Sequence, residues 1–204
     1  HVGEGPSGVT WLTGEAIPKD LRGSFLLTDY RGSATNSNTH VIQLKPDGAG
    51  FALKDVRQLI EGLAAADVEL GYDGKLYFAD FGGGWRVNTN GSVQVLEPKS
   101  EALRQEGAEV AKLVKRGLGS AADRSMVYLS HSDARVRQMA QFDLAKRGEI
   151  GLAMLGAVAN DTGKPLVARL HAIWGLGQLA RSGMEIDHVF EKLLADPQPE
   201  IRAN

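Results

Sequence analysis

Four side chains in the first half of the chain are of types that can do chemistry: Asp29, Arg31, His40 and Asp67. A guanidinium pairs bidentately with carboxylates, so Arg31 is the candidate contact for an anionic cofactor or a substrate carboxylate. The competing reading is a solvated loop arginine. Asp29 and Asp67 are candidate general bases or cation ligands, against a plainer role bonding backbone groups at turns. His40 closes the polar stretch Asn36-Ser37-Asn38-Thr39 and is a candidate base. It has no second ligand at metal spacing, so no metal site is predicted, and a solvated loop histidine is the alternative. Gly82-Gly83-Gly84-Trp85 has a glycine-rich character but lacks a following helix and a Lys-Ser/Thr pair, which argues against a phosphate cradle. Trp85 is read as packing or as lining a channel mouth. His171 is of a type that can ligate haem iron, but the matching place one repeat earlier holds Met139, which points to packing.

The elements that must position these residues change character near Pro98. Before it, short β-type runs alternate with turns. Phe25-Leu26-Leu27-Thr28-Asp29-Tyr30 reads as a strand broken by Arg31-Gly32-Ser33. Val41-Ile42-Gln43-Leu44 reads as the next, closed by a turn at Lys45-Pro46-Asp47-Gly48. Phe51-Ala52-Leu53 opens a third, leading into Val56 to Ile60. The pattern then recurs about 51 residues on, with Leu76-Tyr77-Phe78-Ala79-Asp80-Phe81 in the place of the first strand. A period of that size suits one β-propeller blade with a loop insertion. Two blades cannot close a propeller ring. The alternative is a compact two-sheet β domain that needs no partner.

After Pro98 the apolar spacing is helical. Ser100 is a candidate N-cap for a helix carrying Leu103, Val110, Leu113 and Val114. Met126, Val127 and Leu129 fit a short helix. Ser132 or Asp133 caps a helix with Val136, Met139, Ala140 and Leu144, ended by Gly148. A partner helix carries Leu152, Leu155 and Val158. Pro165 suits the first turn of the next helix, and Ile186, Val189, Phe190 and Leu193 face another. Arg137, Arg169 and Arg202 stand 32 and 33 residues apart, the period of a stacked helical solenoid. Their recurrence predicts a structural job, bonding the preceding turn or bridging repeats. The unit opened by Asp196-Pro197 is unfinished, which predicts a segment of a larger repeat protein. Residues 1–97 are therefore expected to form blades of a partial propeller, and residues 98–204 HEAT-like helical repeats.

Composition removes several function classes. A net charge of −2 without a basic stripe argues against nucleic-acid binding. No apolar run reaches the roughly 18 residues that cross a membrane as a helix. With no cysteine, the chain carries no disulfide, no thiolate metal site and no Cys-x-x-Cys-His haem attachment.

Gly5-Pro6-Ser7-Gly8, Ile17-Pro18-Lys19-Asp20-Leu21-Arg22-Gly23 and the strand through Tyr30 resemble the last blades of quinoprotein sugar dehydrogenase-like propellers. Asp67-Val68 and Tyr72-Asp73-Gly74-Lys75-Leu76-Tyr77 resemble the next blade. Joined to Val136-Arg137-Gln138-Met139-Ala140-Gln141-Phe142, the order of modules is similar to the PVC-type haem-binding proteins, also called membrane-bound dehydrogenases. That resemblance implies a periplasmic or envelope oxidoreductase, oxidising a sugar- or alcohol-like substrate and passing electrons to haem c in a domain outside this chain. It also implies pyrroloquinoline quinone (PQQ) and calcium as cofactors. Arg31 then becomes the cofactor contact, and His40 and Asp67 the catalytic pair. The sequence departs from soluble PQQ enzymes at Ala64-Ala65-Ala66, where those enzymes carry quinone-binding arginines. For this stretch alone two readings follow: a scaffolding segment of such a dehydrogenase, or a non-catalytic interaction module. In both, its partners are the remaining domains of the parent, other subunits, or further copies joined through the open blade.

Overall fold

The computed structural model describes residues 2–48 and 50–204. The chain is β first and then α: two antiparallel sheets, followed by seven helices among the described residues. It divides into two compact units, 1–111 and 112–204.

In the first unit, β1 (Pro6–Trp11), β2 (Phe25–Asp29), β3 (Asn38–Asp47) and β4 (Gly50–Glu61) form one sheet in sequence order. A second sheet follows with β5 (Ala65–Leu70), β6 (Leu76–Asp80) and β7 (Ser92–Leu96), again in sequence order. β6 begins and ends 51 residues after β2. Strand alternation sets the core. Leu26 on β2 stands opposite Val41 on β3, and both are buried with Val68, Leu70, Leu76 and Phe78 of the other sheet. Leu12 and Ile17, in the connection after β1, complete that core. β1 and β2 lie against β5.

Two differences from the sequence reading have local causes. The turn expected over residues 45–48 is strand up to Asp47, because β3 pairs with β4 out to Pro46↔Phe51 and Asp47↔Gly50. The chain reverses at Gly48, whose φ of 58° is open to glycine at little cost. β1 and β5 were not expected as strands. Pro6 and Gly8 obscure the first and Ala65-Ala66 the second, yet each pairs along its length with its neighbour.

Helix α1 (Glu101–Arg116) contains the boundary between the units. The second unit continues with α2 (Ala122–Tyr128), α3 (Ala134–Ala145), α4 (Glu149–Asn160), α5 (Leu166–Arg181), α6 (Asp187–Leu193) and α7 (Pro199–Ala203). Asp133 caps α3 by accepting the Arg135 amide at 2.8 Å. Val136, Ala140 and Leu144 then fall on one buried face at helical spacing. That pattern recurs in α5 as Ala168, Ala172 and Leu176. α3 packs on α5 and α5 on α7, while α2 packs on α4 and α4 on α6. No helix among the described residues is long and apolar enough to cross a membrane.

Candidate functional site

Antiparallel order brings the end of β2, the start of β3, the start of β5 and the end of β6 to one edge of the two sheets. Asp29 ends β2 there and is fully buried. Its Oδ1 accepts the backbone amides of Glu4 at 3.0 Å and Gly5 at 2.6 Å. Its Oδ2 accepts Arg31 Nε at 2.8 Å and a terminal guanidinium nitrogen at 2.6 Å. Residues i and i+2 share a face of an extended chain, and that spacing lets Arg31 reach back. Burial pushes the Asp29 carboxyl up, but the Arg31 guanidinium and the Gly5 and Glu4 amides together hold it below its ordinary value. Arg31 also faces the Glu4 carboxylate at 3.3 Å, and its own amide donates to Ser37 Oγ at 2.9 Å. Its guanidinium is therefore already matched by two carboxylates.

His40 lies on the same face of the sheet as Asp29, since Leu27 pairs with His40 and Asp29 with Asn38. Its Nε2 is 3.7 Å from Asp29 Oδ2, beyond hydrogen-bond range. That nitrogen is buried without a hydrogen-bond partner among the described residues. Asp67 lies elsewhere. A Cβ at Gly8 would come within 2.2 Å of Asp67 Oδ1 and 3.0 Å of Thr28 Oγ1, which puts Asp67 on the Thr28 side of β2. Alternation places Asp29 and His40 on the opposite side. Asp67 Oδ1 accepts the Val68 amide at 2.9 Å. The structure thus bonds Arg31 to Asp29, sets His40 close to Asp29 without a hydrogen bond, and leaves Asp67 apart. Among the described residues, no three His, Cys, Asp or Glu side chains gather closely enough to share a metal ion.

The glycine-rich segment closes over the same edge. The Gly84 amide donates to the Gly32 carbonyl at 2.6 Å, and the Tyr30 hydroxyl donates to the Gly84 carbonyl. Tyr30 meets Phe81 and Trp85 edge-on, with ring centroids 5.8 and 5.2 Å apart. Gly32 has φ 79°, and a Cβ there would lie 2.6 Å from Trp85 Nε1, so both conformation and contact require glycine. Asn88 Nδ2 donates to the Phe81 and Gly83 carbonyls, each at 3.0 Å, and so closes the loop on itself. The Gly82 amide donates to Asp80 Oδ1 at 2.9 Å, so it and the Gly84 amide are already bonded within the protein. The sequence reading did not find the Tyr30–Phe81–Trp85 cluster, although an aromatic one residue after each of Asp29 and Asp80 was the signal for two of its members.

In the helical unit His171 is buried, and Nδ1–H donates to Gln141 Oε1 at 2.8 Å. Burial, with Arg137 nearby, lowers its pKa to about 4, so the imidazole is neutral at physiological pH. Its ring packs edge-on against Trp174 at 4.9 Å. Arg137 donates to the carbonyls of His131 at 2.7 Å and Ser132 at 2.9 Å. Arg202 does the same to Asp196 at 2.6 Å and Pro197 at 3.2 Å. Arg169 instead bonds the Ala159 carbonyl at 2.8 Å and forms a buried ion pair with Asp196.

No family model, curated protein or solved structure matches the chain.

Proposed function

We propose that this stretch is a non-catalytic scaffold, built of repeated β-sheets and HEAT-like helical repeats, within a larger propeller-type oxidoreductase. The observation that carries this reading is the pairing of Arg31 with Asp29 and Glu4. A clamp for an anionic quinone needs a cation in excess, and one guanidinium against two carboxylates leaves the local charge negative. Ala64-Ala65-Ala66 adds no cation in the segment leading to Val68. These residues do not fit PQQ, and no catalytic step is assigned to them. Two sheets of like topology in sequence order support propeller blades. The two rows of helices with arginines at a common place support HEAT-like stacking. The haem domain, the substrate and the envelope location belong to the wider protein.

Titration with PQQ, with and without calcium, tests this reading. Trp85 packs on Tyr30 beside Arg31 and reports on that edge. The expected result is no saturable quenching. Saturable, calcium-dependent quenching that Arg31→Ala weakens would replace the scaffold with a working quinone site.

A further inference from the structure

The two sheets differ at their outer edges. In the first, β3 is covered along its whole length by β4. In the second, β7 pairs with β6 on one side and is the last strand. Residues 101–112, which stand 51 positions after β4, run into helix α1 instead of a fourth strand. All of residues 91–97 are exposed, with Val93 at 68% and Val95 at 51%. No backbone hydrogen bond other than those to β6 reaches β7 among the described residues. An edge of this kind offers a row of free N–H and C=O groups to another strand.

Charge distinguishes the two edges. β4 carries Lys54, Asp55, Arg57 and Glu61, the kind of charged residues that discourage edge pairing. β7 reads Ser92-Val93-Gln94-Val95-Leu96 and has neither a charge nor a proline. It is also nearly palindromic about Gln94. Antiparallel pairing with a second copy across a two-fold axis at Gln94 sets Gln94 against Gln94 and each Val93 against a Val95. Valine suits a pleated sheet, and no like charges meet across the pair. The interface is isologous, so it closes as a dimer and does not propagate.

We propose that β7 is a self-association edge, at which a second copy of this chain supplies the strand that β4 supplies in the first sheet. This deepens the scaffold reading and rests on it. A single strand pair is a small interface, so association in the micromolar range or weaker is expected.

The test is a charge swap at Gln94. Among the described residues its exposed side chain bonds only Ser92 Oγ, at 2.9 Å, so substitution leaves the fold intact. Sedimentation equilibrium from about 1 µM to about 1 mM should show the mass rising from 21.9 kDa towards twice that value. Q94K and Q94E should each weaken association by about tenfold or more, because like charges then face each other across the axis. Mixing the two variants should restore it. Amide exchange at residues 93–95 of the unsubstituted chain should slow as concentration rises. A constant mass of 21.9 kDa, an association that neither variant weakens, or a mixture that does not recover overturns the proposal. None of these results produces quinone binding, so the scaffold reading stands or falls separately.

Discussion

Asp29→Asn tests how the edge of the β unit is held together. Asparagine has nearly the shape of aspartate but one oxygen fewer. If the remaining oxygen faces the Glu4 and Gly5 amides, the new NH2 meets the Arg31 guanidinium. If the side chain is turned, the NH2 meets the two backbone amides. Either way two donors face a donor inside a site where Asp29 has no solvent contact. Hydrogen bonds to a charged group contribute about 1.5–3 kcal/mol each, so a loss of about 3 kcal/mol is a conservative sum for two. For a unit of roughly 100 residues this lowers Tm by about 12 °C or more. The assay is thermal unfolding followed by Trp11 and Trp85 fluorescence in a Trp174→Phe background, which leaves both reporters in the β unit. The acid limb gives a second readout. Asp29 is held below its ordinary value of 3.8, so its stabilisation is full above that pH and is lost as the pH falls through the lowered value. Asp29→Asn should flatten the unfolding curve in that acid range. A Tm drop of less than about 4 °C, with the acid dependence unchanged, would refute the argument that this carboxylate organises the edge.

Gly8→Ala should destabilise the β unit by about 1–3 kcal/mol, because the added methyl meets Asp67 at both Oδ1 and Cα and can be relieved only by moving β5. Urea unfolding followed by the same tryptophans measures it, and an unchanged midpoint would mean that β1 and β5 are not in this contact. His171 gives the helical unit a pH dependence of its own. Its pKa falls from 6.5 to about 4 on folding, so the unfolded chain takes up a proton first, and stability should drop by about 2–3 kcal/mol as the pH falls from 6.5 to 4. His171→Met, which copies the residue at Met139, should remove that slope in urea midpoints measured across the range; an unaltered slope would place the titrating group elsewhere.

What was legible in the sequence was whatever recurs. β2 and β6 were visible because each is a short, largely apolar run closed by Asp-aromatic, and the structure places them 51 residues apart. The helical faces of α3 and α5 were visible for the same reason. β1 and β5 were hidden, because alternation there runs through Pro6, Gly8, Ala65 and Ala66, whose strand propensity is weak and whose pairing is decided by neighbours. Among the candidate site residues, Arg31 was visible as a cation but not as a paired one. The i, i+2 relation to Asp29 was present in the sequence, yet a turn was assumed at Arg31, and a turn sends the side chains of residues 29 and 31 in different directions. Asp67 could not be placed, because its distance from Asp29 depends on which face of β2 it meets, and a strand that was not expected has no face.

The recurring arginines explain why a repeated residue need not repeat its bond. A helix that follows a tight turn leaves the turn's carbonyls without intrahelical partners, and a guanidinium reaching back satisfies two at once. Arg137 and Arg202 do this from one place in their helices. The turn before α5 contains Gly163 six residues ahead of Arg169, where the turn before Arg202 has Asp196. Arg169 does not bond that turn and instead takes the Ala159 carbonyl behind it and the Asp196 carboxylate ahead. Asp196 then serves both neighbours, with its side chain on Arg169 and its carbonyl on Arg202. Its carboxyl is held below its ordinary value, first by the Arg169 hydrogen bond against the cost of burial, and the Gln198 amide adds to that effect. Arginines at like places near the starts of α3, α5 and α7 therefore bond the preceding turn in two cases and an acid of a later turn in the third. Both are structural uses of charge.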